Sequence, residues 1–104
     1  MAIVKYTSPP NILLVKGVDI TAADVYVTIQ QNHHEITVSG ADLSLSMAGD
    51  DTQVIFYLTQ EQTASFNLYN KAKVQVNWID SGHRYATVIK DVKIYENLID
   101  EVIS

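Results

Sequence analysis

The chain has 104 residues, with 12 acidic and 7 basic side chains and a net charge of −5 at pH 7. Hydrophobic residues make up 47% and charged residues 18%, which excludes a disordered chain and predicts a single domain over residues 1–104. The acidic balance argues against nucleic-acid partners, and the absence of cysteine excludes disulfides, thiolate zinc sites and thiol nucleophiles.

The N-terminal region predicts two short strands rather than a signal peptide or a membrane span. Val, Ile and Thr together number 31, and such branched residues favour strands. We predict strands at Ile3 to Tyr6 and at Ile12 to Lys16, separated by Pro9-Pro10, because proline cannot donate to a ladder. The apolar run from Ile12 to Val15 is far too short to cross a bilayer, so no membrane partner is expected.

A single helical turn is predicted at Asp19 to Asp24. Thr21 can cap this turn, and Asp24, three residues later, can return the hydrogen bond as in a capping box.

The middle of the chain alternates with period two, which predicts half-buried strands separated by polar turns. Strands are predicted after Asp24, at Glu35 to Ser39, around Leu45 and at Gln53 to Leu58. The predicted inward positions are Val25, Val27, Ile29, Ile36, Val38, Val54, Phe56 and Leu58.

A capping box and a hairpin follow. Thr59 and Gln62 have the spacing of a capping box, so a short helical turn is predicted after Thr59. The segment Lys73 to Asp80 alternates, with Val74, Val76 and Trp78 on the core face, and Arg84 to Tyr95 is predicted to return as one long strand.

Two residues of this hairpin are assigned structural roles. Gly82 is the residue best able to take a positive φ in the turn. Trp78 is interpreted as a core residue between two sheets rather than as a sugar-binding aromatic.

The C-terminal segment, residues 96–104, switches to the period of a helix. Its apolar residues recur at the spacing of one helix face. They are Tyr95, Leu98, Ile99, Val102 and Ile103. A helix this short is marginal alone, so the stripe must dock on the chain's own sandwich or on a neighbouring subunit.

Together these elements predict an all-β protein. Seven to nine short strands with turns every 8–12 residues indicate an immunoglobulin-like antiparallel β-sandwich, here with a short C-terminal helix.

The polar residues predict neither a catalytic, a metal nor a cofactor site. His33 and His34 are adjacent, so on a strand they would point to opposite faces and could not easily share an ion. Glycine-rich phosphate loops and nucleophile motifs are absent from the sequence. Tyr26, Tyr57 and Tyr95 are out of phase with the core positions, so an outward aromatic patch could bind a sugar or a protein.

Four segments resemble, in matching order, a small protein family encoded by tailed bacteriophages and prophages of Gram-positive bacteria. The resemblance covers residues 12–104. Its segments are Asp19 to Gln31, Leu58 to Thr63, Val74 to Trp78 with Gly82, Arg84 and Thr87, and Asn97 to Ile103.

The resemblance implies a non-enzymatic structural protein of the virion, made in the host cytoplasm. It would act in capsid decoration, as a head fibre or in head–tail assembly, with capsid or other virion proteins and further copies of itself as partners. Candidate contact residues are Ile12 and Leu14 together with the apolar residues of the C-terminal segment, and the resemblance favours docking of that segment on a neighbouring subunit. A carbohydrate-binding module for host attachment is the alternative, and an inhibitor of a host enzyme is a third possibility.

Overall fold

The computed structural model describes residues 1–103. They form nine strands, one α-helix (α1, Gln60–Ala64) and one 3-10 turn at Gly40–Asp42. The strands are β1 Ala2–Val4, β2 Pro10–Val15, β3 Asp24–Gln31, β4 His34–Ser39, β5 Ser44–Ala48, β6 Asp51–Tyr57, β7 Ala72–Asp80, β8 His83–Ala86 and β9 Lys90–Tyr95.

The strands form two sheets, which confirms the predicted all-β sandwich. The larger sheet has the order β1-β9-β7-β3-β4, with β8 also paired to β7, and the smaller sheet has the order β2-β6-β5. The pairing of β1 with β9 is parallel, and all other pairings are antiparallel. The orders correspond to the B-E-D and G-F-C-C′ sheets of an immunoglobulin-like sandwich.

The core lies between the two sheets and contains the predicted inward residues. Alternation places every second side chain of β3, β6 and β7 on the inner face, where it is removed from water. Buried members are Val25, Val27, Ile29, Ile36, Val38, Val54, Phe56, Leu58, Val74, Val76 and Trp78, all of them predicted. Ile20, Phe66 and Val92 complete the core from loops and from β9.

Buried polar side chains fasten loops to this core. The Thr52 hydroxyl donates to the Val18 carbonyl oxygen at 2.7 Å and accepts from the Ile20 N–H at 3.0 Å, which holds the loop after β2. The Gln31 amide bonds the backbone at Asn67 and Asn70 and so shapes the connection into β7. Each of these side chains is satisfied, as buried polar groups need to be.

The predicted helical turn at Asp19 to Asp24 is wrong. The segment is a turn closed by a 3.1 Å bond from the Ala23 N–H to the Ile20 carbonyl oxygen, and Asp24 already belongs to β3. Asp19, rather than Thr21, supplies the local cap: its Oδ1 accepts from the Thr21 N–H at 3.0 Å and from the Thr21 hydroxyl at 2.6 Å. An aspartate that bonds the backbone two residues later favours a turn over a helix.

The second predicted cap is confirmed. Thr59 Oγ1 accepts from the Gln62 N–H at 3.0 Å, and Gln62 Oε1 accepts from the Thr59 N–H at 2.9 Å, so a full capping box opens α1.

The predicted conformation of Gly82 is also confirmed. Gly82 has φ +79° and Ser81 has φ +53° in the two-residue loop between β7 and β8. Two positive φ values are typical of the type I′ turn, whose twist matches that of the strands.

The predicted C-terminal helix is not present in the structure, so this prediction is wrong. Residues 96–103 contain no helix, and Ser104 lies outside the described residues. The Asn97 side chain turns the chain after β9, since its Oδ1 accepts from the Ile99 N–H at 3.1 Å while its Nδ2 donates to the Lys5 carbonyl oxygen at 3.1 Å.

Candidate functional site

A groove of about 590 Å³ opens between the outer edge of β2 and residues 86–90 of the larger sheet. We name it the β2 groove. Its floor consists of core side chains, Val74, Val76 and Trp78 of β7, which the gap between the sheets leaves reachable from outside. Other lining residues are Ile12, Leu13, Leu14, Val15 and Lys16 of the β2 side and Ala86, Thr87, Val88 and Lys90 of the opposite side, with Met1 and Gln75.

A break in the predicted long strand forms the wall opposite β2. The sequence predicted one strand from Arg84 to Tyr95, whereas the structure has β8 and β9 separated by residues 87–89. Thr87 takes over the ladder at this point: its N–H donates to the Val76 carbonyl oxygen at 2.9 Å, and its hydroxyl accepts from the Val76 N–H at 3.1 Å. A hydroxyl therefore replaces a backbone carbonyl, and the next two residues leave the sheet.

The side chains beyond this break are exposed and apolar. Val88 is 75% exposed and Ile89 is 57% exposed. Gln75 stabilises the break from the neighbouring strand, because its Nε2 donates to the Thr87 carbonyl oxygen at 2.9 Å. Neither residue was among the predicted contact residues.

A change of phase in the sequence was the available signal for the break. Tyr85 faces Trp78, so an odd-numbered residue faces inward in β8. In β9 the buried Val92 and the half-buried Ile94 are even-numbered. One uninterrupted strand cannot bury both sets, since side chains alternate with period two, so the slip indicates a bulge.

The β2 side of the groove carries two of the predicted contact residues. β2 lies at the edge of its sheet, with β6 as its partner. Ile12 is 55% exposed and Leu14 is 44% exposed on the outer face, while Leu13 is half-buried beside the core. Ile12 and Leu14 thus lie together at the groove, with Trp78 at its floor.

The charges at the groove are basic, in a chain with an acidic total. Lys16 and Lys90 are the charged side chains in its lining, which contains no Asp or Glu. The Lys16 Nζ lies 3.4 Å from Asp51 Oδ2. The Gly17 N–H, which donates to Asp51 Oδ1 at 2.8 Å, lowers the pKa of the Asp51 carboxyl, and Lys16 adds to this effect against the opposing effect of partial burial.

The predicted contact residues of the C-terminal segment lie elsewhere, beside α1. Gln60 binds the end of this segment: its Oε1 accepts from the Ile103 N–H at 2.8 Å, and its Nε2 donates to the Ile103 carbonyl oxygen at 2.6 Å. Leu98 is 96% exposed, and the other apolar residues of the stripe are about half exposed. They are Tyr95, Ile99, Val102 and Ile103. The stripe therefore forms no packed face on its own domain.

The three outward tyrosines do not form one flat patch. Tyr57 lies on the smaller sheet, and Tyr26 and Tyr95 lie on the larger one. Both strands pair with β7, where Tyr26 is opposite Asn77 and Tyr95 lies three positions beyond the partner of Ala72. The two tyrosines are therefore eight strand positions, or roughly 26 Å, apart along the strands. Tyr26 instead borders a shallow polar hollow of about 330 Å³. Its other lining residues are Thr28, Thr37, Asn77, Ile79 and Arg84.

The histidines do not converge. The His34 Nε2 is 2.7 Å from the Ser65 hydroxyl, and its ring meets Phe66 edge-on at 5.3 Å between centroids. Among residues 1–103 no group of three or more His, Asp or Glu side chains could hold a metal ion. No helix in the same range is long and apolar enough to cross a membrane.

Comparison with known proteins gave no family: no protein-family model matches the chain, and no curated protein matches it.

Proposed function

We propose that this protein is a non-enzymatic assembly module that acts through protein–protein contacts. We further propose that it is a structural protein of a phage or prophage virion, in capsid decoration, a head fibre or the head–tail connection. The virion context rests on the sequence resemblance, and the mode of action rests on the β2 groove.

The observation that carries the proposal is the exposed apolar surface along the β2 groove. Ile12, Leu14 and Val88 line it, each at least 44% exposed. Scattered apolar residues are normal on a protein surface, but a continuous group around an open groove marks an interaction site. The neighbouring edge of β2 offers backbone groups to a partner strand, which is a common mode of protein recognition.

Purified particles of the encoding phage or induced prophage test the virion proposal. We expect quantitative mass spectrometry to find this protein in a fixed ratio to the major capsid protein after density-gradient purification. Its absence from particles, with presence in the infected-cell lysate, would contradict a structural role.

Two phage variants test whether the β2 groove is the contact. Leu14→Lys places a charge beside the groove, and we expect it to reduce incorporation. Ser46→Lys is the matched control. Ser46 and Leu14 both pair with Gln53 of the central strand β6, so they lie in one row on opposite edges of the same sheet. Equal incorporation of both variants would show that another surface makes the contact.

The polar hollow at Tyr26 is the observation that favours carbohydrate binding as a second candidate. It combines an aromatic ring, 37% exposed, with the guanidinium of Arg84, whose Nε and Nη2 both donate to Asn77 Oδ1 at 3.2 Å. A glycan array separates the candidates. An assembly module binds no sugar, whereas binding that Tyr26→Ala abolishes and Tyr57→Ala preserves would support the carbohydrate module.

A further inference from the structure

The five edge strands differ in how well they are protected against pairing. β1 has three residues, β8 has four and includes His83 and Arg84, β4 begins with His34 and Glu35, and β5 alternates serine with apolar residues. β2 has six residues and carries four consecutive apolar residues, from Ile12 to Val15, with no charge inside the strand. Natural edges are usually short, charged or bulged, because a long apolar edge pairs with other strands.

The fold also leaves room beside β2. In a constant-type immunoglobulin domain, strand A lies beside strand B in the same sheet. Strand B corresponds to β2 in this protein. In this protein the first strand pairs with β9 of the other sheet instead, and the smaller sheet has three strands, with β2 at its edge. Residues 87–89 leave the opposite sheet beside the same edge, which keeps the β2 groove open.

We propose that β2 pairs with β2 of a second copy, antiparallel and across a two-fold axis, to join two three-stranded sheets into one of six strands. This proposal specifies the partner at the groove named under the proposed function, and rests on that assignment. An isologous contact closes on itself and yields a dimer rather than a fibre.

The alternation of side chains fixes the register. Residues paired across an antiparallel ladder share a face, so one residue of β2 must lie opposite the same residue of the second copy, and the two-fold axis passes midway between these two residues. An axis at Leu13 pairs residues 11–15 of the two copies with one another and places Ile12 opposite Leu14 of the second copy. The two exposed pairs then cover one another on the outer face, and Lys16 lies beyond the strand, opposite Pro10.

The size of the contact indicates a weak dimer. A standard interface uses 20–30 residues and about 800 Å² on each partner, and the 14 residues that line the groove correspond to about 450 Å². This area is near the lower limit for specific association. The charged side chains of the groove, Lys16 and Lys90, are both basic, so charge does not favour the contact, although the Lys16 Nζ has a partner of its own in Asp51 Oδ2 at 3.4 Å. The dimer is therefore expected to form in the micromolar range and to depend on concentration.

Cysteine crosslinking tests both the contact and its register. The chain has no cysteine, so Leu13→Cys introduces a single thiol. At the proposed axis the two Cα atoms lie about 4.5–5.5 Å apart, within the range that a disulfide spans. We expect mild oxidation to convert most of this variant to a covalent dimer. Ser46→Cys, on the opposite edge of the sheet, is the control for random collision and should remain monomeric.

Sedimentation of the cysteine-free protein gives an independent measure. We expect a dimer to appear between about 1 and 500 µM, with Leu14→Lys raising the dissociation constant at least about tenfold and Ser46→Lys changing it by less than about twofold. Both substitutions are at exposed positions, and far-UV circular dichroism checks that the variants fold.

The outcomes separate this proposal from the virion proposal. A monomer at every concentration, or crosslinking at position 13 no greater than at position 46, overturns β2 pairing and leaves incorporation into particles open to other contacts. A dimer formed by a protein that is absent from particles supports β2 pairing and contradicts the virion proposal.

Discussion

Trp78 gives the sharpest test of how the sandwich is held together. The indole is 9% exposed, lies on the core face of β7 and forms part of the floor of the β2 groove. On one side it stacks on Tyr85, with 5.8 Å between ring centroids and 19° between ring planes. Trp78→Ala removes the indole from this site between the sheets.

The expected loss of stability follows from burial and stacking. A large-to-small change at a buried aromatic residue costs about 3–5 kcal/mol in the free energy of unfolding. Tyr85 is 48% exposed, so Tyr85→Ala should cost about half as much. Stacking adds about 0.5–1.5 kcal/mol to an aromatic pair, and the double variant should therefore lose less than the sum of the two single variants by about that amount.

Urea unfolding followed by far-UV circular dichroism is the assay, because Trp78 is the sole tryptophan and its removal abolishes the fluorescence signal. Leu98→Ala is the control: at 96% exposure it should change the free energy of unfolding by less than about 0.5 kcal/mol. A cost below about 1 kcal/mol for Trp78→Ala, with an unchanged denaturant slope, would refute the core role. Loss of sugar binding at unchanged stability would instead favour the carbohydrate module.

Three further predictions concern turns and loops. Gly82→Val should cost at least about 1 kcal/mol in the free energy of unfolding, since a branched residue is strained at φ +79°, and Gly82→Asn, which tolerates this region, should cost less in the same urea assay. Thr52→Val should cost about 2–3 kcal/mol, because two backbone groups of the loop after β2 lose their partner; a cost below about 0.5 kcal/mol would show that the loop finds other partners. The Gly17 N–H lowers the pKa of the Asp51 carboxyl, and the Thr21 hydroxyl and N–H lower the pKa of the Asp19 carboxyl. Because both pKa values are lowered in the folded protein, the contribution of these carboxylates to stability is complete above about pH 4 and is lost as the pH falls through the lowered pKa. Asp51→Asn should accordingly flatten the acid side of the stability–pH curve.

The strands could be predicted because one physical rule determines them. A sheet with one buried face needs an apolar residue at every second position, and β3, β6 and β7 satisfy this except at Gln31, Thr52 and Asp80 near the strand ends. The capping box at Thr59 and the positive φ at Gly82 were predicted for a similar reason, since each depends on residues within three positions of one another.

The β2 groove could be predicted only in part. Ile12 and Leu14 were selected from the sequence, but the opposite wall depends on Thr87. The Thr87 hydroxyl accepts the N–H of Val76, eleven residues earlier in the chain, where a backbone carbonyl oxygen would accept it in a regular ladder. A threonine in a run of branched residues is consistent with an ordinary strand, and only the slip in phase between β8 and β9 distinguishes the break. The pairing of β1 with β9 likewise joins the two ends of the chain and has no local signal.

The C-terminal segment shows the limit of periodicity and yields the last prediction. Five apolar residues within nine positions matched a helix face, but three of them are β-branched and Asn97 bonds the backbone at Ile99, which favours the irregular, bent backbone observed. Docking of this segment on a neighbouring subunit stays a prediction.

Deletion of residues 96–104 should leave a folded core, because within the described residues the segment is held by exposed bonds to Gln60 and by Asn97. Sedimentation then separates the two surfaces. A truncated protein that still dimerises supports pairing through β2, a truncated monomer shows that the segment docks on the second copy, and a truncated protein that unfolds shows that it stabilises its own domain.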